Sequence, residues 1–156
     1  MVFTVLSDDV VKGVKVGKAT DNALKYLKDV SSYYRMPECF KVLNDVKEKI
    51  PCYEIPKEIE LLKDGKYALE VCNPRLNKCV DLDSNALVDE VVIEGFEVYP
   101  VVEECSEVGR NDKLAYIVTG KGEVRVVRYE GDGVVLYVDE VVGVRPVKYR
   151  VFIKRG

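Results

Sequence analysis

Lys121 stands between two glycines in Thr119-Gly120-Lys121-Gly122-Glu123-Val124, a pattern suited to holding one amine away from the body of a protein. Gly120 and Gly122 permit a positive φ, so a tight turn can project the long side chain as a point of covalent attachment. The same glycines suit a plain hairpin turn with an exposed polar residue at its centre, and both readings stay open. Sulfur chemistry is offered by five cysteines, Cys39, Cys52, Cys72, Cys79 and Cys105. None forms a Cys-x-x-Cys pair, so a soft metal would require Cys39, Cys52, Cys72 and Cys79 to converge from irregular spacings. Buried thiols or one disulfide are the favoured reading, with Cys72 and Cys79 as the pair because they sit on the two arms of an expected hairpin.

Other groups are abundant but less pointed. Histidine is absent, which removes Ser-His and Cys-His nucleophile pairs and imidazole acid–base chemistry. Glu103-Glu104 and Asp139-Glu140 occupy what read as equivalent acidic turns, and a pair repeated with the architecture serves the turn rather than one asymmetric active centre. Arg125, Arg128, Arg145, Lys148, Arg150, Lys154 and Arg155 interleave with Tyr129, Tyr149 and Phe152, yet no nucleic-acid motif accompanies them and the net charge is -3. Solvated strand charge with core aromatics is the expectation there. No catalytic residue and no metal ligand is assigned.

Positioning falls to two differently built regions. Val2–Leu6 reads as an opening strand followed by a turn at Ser7-Asp8-Asp9. Thr20 and Asp21 suit the start of a helix, since Leu24, Leu27 and Val30 recur at helical spacing before Ser31-Ser32 blurs its end. A second helix is expected from Pro37, with Cys39, Leu43, Val46 and Ile50 on one face and Pro51 as the stop. After Pro56 the pattern turns strand-like, and Tyr67 to Leu82 predicts a hairpin about Asn73-Pro74-Arg75-Leu76-Asn77. Beyond Leu87, short Val-rich segments at Val91–Ile93, Val98–Val102, Leu114–Val118, Val124–Arg128, Val134–Val138 and Val147–Ile153 predict a sandwich or barrel. Leu114, Ile117, Val135 and Val151 are the expected inward-facing residues. A weak internal repeat relates Val98–Val118 to Val134–Ile153, with Lys121 between the halves.

Charge and composition fit a soluble, cytoplasmic protein. The first 112 residues hold 15 basic and 22 acidic side chains and the rest 9 and 5, so an acidic front could attract a mildly basic tail. The chain lacks glutamine and tryptophan and is 33% charged, a thermophile-like balance that makes an intracellular disulfide admissible. No leader-like start and no uninterrupted apolar run long enough to span a bilayer is present in the sequence.

From about residue 95 to 153 the chain resembles the biotinyl/lipoyl carrier domain, a flattened barrel known as a barrel-sandwich hybrid. The matching segments are Val102-Glu103-Glu104 with Gly109-Arg110-Asn111-Asp112-Lys113-Leu114-Ala115, and Asp132-Gly133-Val134-Val135. The resemblance puts Lys121 near the family's modified lysine and so implies biotin or lipoate as a cofactor. Glycine stands on both sides of Lys121, where biotin carriers place methionines and lipoyl carriers an aspartate and a small residue. As a whole the chain resembles an archaeal family of unknown function that joins a small α/β part to such a barrel.

The expectation is therefore an α+β protein, with an N-terminal α/β subdomain over residues 1–90 and a biotinyl/lipoyl-like barrel over 91–156. Its expected role is a non-catalytic binding or scaffold module with protein partners and no cofactor. The alternative is a carrier with biotin or lipoate on Lys121.

Overall fold

The computed structural model describes the backbone of residues 2–5 and, with side chains, residues 14–31 and 35–156. In chain order the elements are β1 (Val2–Val5), β2 (Val14–Lys18), α1 (Asp21–Val30), β3 (Glu38–Leu43), β4 (Val46–Ile50), α2 (Ile55–Leu61), β5 (Ala68–Asn73), β6 (Lys78–Leu82), β7 (Leu87–Gly95), β8 (Glu97–Pro100), β9 (Glu107–Val108), β10 (Lys113–Val118), β11 (Glu123–Arg128), β12 (Gly133–Val141) and β13 (Val147–Arg155). The chain is mostly β, with a curled half-barrel sheet and a small helical part. The expected turn at Ser7-Asp8-Asp9, together with Leu6 and Ser32, lies outside the described residues.

Three sheets are stacked by three apolar clusters. The central sheet has the order β1-β7-β13-β12-β9, a second has β2-β11-β10-β8, and a third has β4-β3-β5-β6. Along β13 the side chains alternate: Val151 and Ile153 join one cluster and Phe152 the other, which is why Val-Phe-Ile is apolar throughout. On one face, Val151 and Ile153 meet Leu114, Ile117 and Val135 in a core shared with the second sheet. On the other, Phe152 and Leu136 pack with Ile55 and Ile59 of α2 and with Leu69 and Val71 of the third sheet. Each buried Leu, Ile or Phe in these layers contributes roughly 1.5–3 kcal/mol. Leu114, Ile117, Val135 and Val151, expected to point inward, fall in a single cluster. Leu114 and Ile117 can share it because the register of β10 shifts between Lys113 and Ala115, where a bulge restores the face.

Helix α1 forms where the sequence places its cap. The Thr20 hydroxyl accepts the Ala23 N–H at 3.2 Å, and Leu27 is buried against Tyr116, Val118, Val124 and Val126 on the outer face of the second sheet. The boundary expected between residues 90 and 91 falls within β7, which pairs in parallel with β1 and antiparallel with β13.

The helix expected from Pro37 to Ile50 is a hairpin instead. Asn44 and Asp45 take φ values of 50° and 65°, the left-handed pair that a two-residue hairpin loop requires. Cys39 then faces Ile50, and Leu43 faces Val46, so the apolar steps that imitate a helix are cross-strand partners. Burial agrees, since Leu43 and Val46 are largely exposed while Cys39 and Ile50 are buried. The helix in this region is α2, where Pro56 sits in the first turn, a position needing no N–H, and Ile55, Ile59 and Leu62 form the buried stripe.

Backbone spacing limits substitution at β12. A Cβ at Gly133 would overlap the Lys154 carbonyl oxygen of β13, whereas one at Gly120 would meet nothing within 4 Å. Gly133→Ala should lower stability by roughly 1–3 kcal/mol through overpacking, and Gly120→Ala should stay within about 0.5 kcal/mol. Paired denaturant titrations check the contrast.

Candidate functional site

Lys121 lies in the turn between β10 and β11 and is exposed. The turn closes through the Gly122 N–H on the Thr119 carbonyl at 3.0 Å and the Glu123 N–H on the Thr119 hydroxyl at 3.1 Å. Gly122 has φ +79°, the left-handed conformation that a side chain there would strain. Lys15 of β2 pairs with Glu123 at 3.0 Å, and the Ala19 N–H donates to the Gly122 carbonyl at 2.7 Å, so the end of β2 is fastened beside the turn while Lys121 stays exposed. The two flanking halves are each an antiparallel pair, β8 with β10 and β12 with β13, in sheets that face one another over a common core.

The two acidic pairs are not equivalent. Asp139 and Glu140 lie inside β12 opposite Arg150 and Tyr149, and they are spent on those partners: Arg150 donates to Asp139 at 2.7 Å and the Tyr149 hydroxyl donates to Glu140 at 2.8 Å. Glu103-Glu104 does lead a turn, closed by Cys105 at φ +69°. Strand twist and the bulge between Val135 and Tyr137 give β12 a different path from its supposed counterpart, so the repeat fails at its acidic positions.

Around Glu103-Glu104 distant parts of the chain meet. Glu104 is 1% exposed, and one of its oxygens accepts from the Arg35 guanidinium at 2.7 Å and from the Val138 N–H at 2.9 Å. Arg35 also donates to the Val138 carbonyl at 2.9 Å. The second oxygen, Oε1, has no partner among the described residues. Next door, Arg75 grips Glu103 through two nitrogens, and Asn73 donates to the Glu104 carbonyl at 2.8 Å while its own amide oxygen accepts the Arg75 N–H at 3.0 Å. Arg35, Asn73 and Arg75, held by these carboxylates, line a cleft of about 800 Å³. Pro37, the Cys39–Cys52 bridge and Met36, which is 81% exposed, also line it. Tyr137 completes the wall; burial first, then the charges of Asp139 and Glu104, push its hydroxyl from 10.0 up to about 12.

The cysteines separate by face. Cys39 pairs with Val71 in the register and shares its buried side, whereas Cys72 faces Glu38 on the opposite side. Cys39 is joined to Cys52, Cys72 to Cys79, and Cys105 is a buried free thiol whose Sγ donates to the Val71 carbonyl at 3.2 Å. Burial pushes the Cys105 thiol above its ordinary range. The four-cysteine metal centre considered from the sequence is thus split across a sheet. Cys72 and Cys79 are direct cross-strand partners with Cα atoms 4.0 Å apart. Among the C-terminal cations, Arg150 pairs with Glu90 and Asp139, Arg155 with Asp89, and Lys154 with the Asp81 carbonyl. Tyr129 and Phe152 are buried and offer no face for base stacking.

Sequence reasoning identified Glu103-Glu104 as a turn but missed Arg35, Asn73 and Arg75 as its partners; the signal available was only the Asn-Pro-Arg turn between the hairpin arms. Two outcomes are expected. Arg35→Ala leaves Glu104 buried without its cation and should cost roughly 3–5 kcal/mol, whereas Arg75→Ala, at a side chain 67% exposed, should cost about 0–1 kcal/mol; thermal and denaturant unfolding check both. Tyr67 is also pushed from 10.0 up to about 12, by burial and then by its hydrogen bond to Glu58. A raised folded value favours the protonated folded state, so this stability is complete below about pH 10 and is lost as pH climbs to 12. Tyr137→Phe should blunt that alkaline loss, read from unfolding curves across the window.

Residues 62–155 match a family described as "Uncharacterized protein conserved in archaea (DUF2118)". The matched span contains Asn73, Arg75, Glu103, Glu104 and Lys121, and the wall formed by Arg35 to Cys52 precedes it. No curated protein matches the chain.

Proposed function

The chain belongs to this archaeal family, DUF2118, and on that premise we propose that it is a non-catalytic binding module whose partner is a protein segment held in the cleft beside Glu103-Glu104. One observation carries the reading: an exposed Met36 and an Arg75 guanidinium oriented by Glu103 line the same preformed concavity. Nη1 of Arg75 has no partner among the described residues, so it can donate to an incoming carboxylate while Met36, Pro37 and Pro51 accept apolar side chains. The occupant is an extended segment with an acidic residue between apolar ones.

A second reading rests on Lys121. Its exposed place on the β10–β11 turn, between two antiparallel pairs that share a core, supports a biotinyl/lipoyl-like barrel in which Lys121 carries biotin or lipoate. The two readings separate by experiment. A peptide array of alternating acidic and apolar sequences should yield binders that Arg75→Glu weakens roughly tenfold or more by like-charge repulsion and Lys121→Ala leaves unchanged. Intact mass of the protein from its native host should show no adduct. Stoichiometric biotin or lipoate at Lys121, with no array binder sensitive to Arg75, would replace the binding module with the carrier.

A further inference from the structure

The outer face of the β5–β6 hairpin carries a block of four donor residues used by neither the cleft nor Lys121. Residues opposite one another in an antiparallel pair share a face, as do residues two apart along a strand. In the register Glu70 faces Asp81 and Cys72 faces Cys79, so two carboxylates and two sulfurs form a square. Donor atoms of Glu70, Cys72 and Cys79 lie within 4.8 Å of one another, and Asp81 stands directly opposite Glu70 in the register. β6 is an edge strand, and Cys79 and Asp81 are exposed, which gives the square a path to solvent.

Cations already gather at this square. The ammonium of Lys47, reaching over from β4 with 54% of its side chain exposed, sits 2.8 Å from Glu70 Oε1. Lys154 donates to the Asp81 backbone carbonyl at 2.6 Å. Adjacent carboxylates, one buried at Glu70 and one exposed at Asp81, repel unless a positive charge lies close by, and a long side chain is one that can be displaced.

We propose that Glu70, Cys72, Cys79 and Asp81 form a redox-gated site for a divalent ion of the zinc class, closed by the Cys72–Cys79 bridge and opened by its reduction. A dithiol reductant delivers two electrons and two protons to that bond; the bond breaks to two thiols as the reductant closes its own disulfide. Metal binding then expels one proton from each thiol to solvent, and two thiolates with two carboxylates complete a tetrahedral set. Zinc bonds of about 2.0–2.3 Å place such donors roughly 3.3–3.8 Å apart, which side-chain rotation reaches from the present spacing. In the oxidised protein only the carboxylates remain, a hard pair that holds zinc poorly. Lys47 must leave Glu70 for the ion to enter, so it competes with the metal.

The test uses the full chain, oxidised or reduced with a phosphine, titrated with Co²⁺ and Zn²⁺ against a chromophoric chelator, with circular dichroism following the fold. Reduced protein should bind one equivalent with thiolate-to-cobalt charge-transfer bands. Oxidised protein, Glu70→Gln and Asp81→Asn should each bind at least roughly tenfold more weakly, the low end of what losing even an outer-shell partner costs. Cys39→Ser with Cys52→Ser should keep the site, Cys72→Ser with Cys79→Ser should lose it, and Lys47→Gln, which leaves all four ligands in place, should tighten binding. Equal binding in both redox states, survival of the site without Cys72 and Cys79, or no gain from Lys47→Gln would overturn the proposal. So would a reduced protein that neither folds nor binds when metal is present during reduction.

Discussion

Burial of the central sheet on both faces is the constraint from which the remaining architecture follows. A strand covered on one side alternates apolar and polar residues, but β13 and β12 must satisfy two cores at once, so Val151-Phe152-Ile153 and Val134-Val135-Leu136 leave no polar face. Charge is driven to the ends and edges of these strands, where Arg150, Lys154 and Arg155 find acidic or carbonyl partners. The Asp89 carboxylate, 5% exposed, is tolerable inside because the Tyr129 hydroxyl and Arg155 both donate to it. Because the sheet is held from both sides, the elements stacked on it acquire fixed positions, and the cleft walls inherit that rigidity.

The cleft gains its polarity from the same logic in reverse. Glu104 would be costly as a buried charge without Arg35 and the Val138 N–H, which tie the chain before β3 to the middle of β12. Glu103, less buried, orients Arg75 while leaving part of the guanidinium free to act. One acidic dipeptide thus combines a structural carboxylate and an orienting one, and the difference between them is burial alone. The face of the third sheet turned away from the core follows another rule: there, buried Glu70 and exposed Asp81 stand together because nearby lysines offset their repulsion.

Local features were legible in the sequence and long-range ones were not. The Thr20 cap, the Asn73–Asn77 turn and the Val-rich strands beyond Leu87 each announce themselves within a few residues, and each forms where the pattern puts it. The segment Cys39 to Ile50 misleads because a two-residue hairpin with apolar residues beside the loop reproduces helical steps of four and three; Asn44-Asp45 was the competing signal. Pro56 reads as a breaker although it sits where a helix tolerates it. The cleft joins Arg35, Asn73, Glu104 and Val138, and no spacing rule links residues so far apart. Lys121 was visible from its glycines, since a turn is specified by the residues that make it.

The pairing of β1 with β7 and of β2 with β11 sets the order in which the protein can be built. Val2 lies opposite Leu87 and Val14 opposite Val126, so each of these strands is made long before its partner. The β3–β4 and β5–β6 hairpins close on near neighbours and can form early, while β1 and β2 must wait for contacts of large sequence separation. During synthesis β1 and β2 therefore carry unpaired strand edges, a state open to wrong pairing with other chains. Strands β1 and β2 are made well ahead of the partners that hold them.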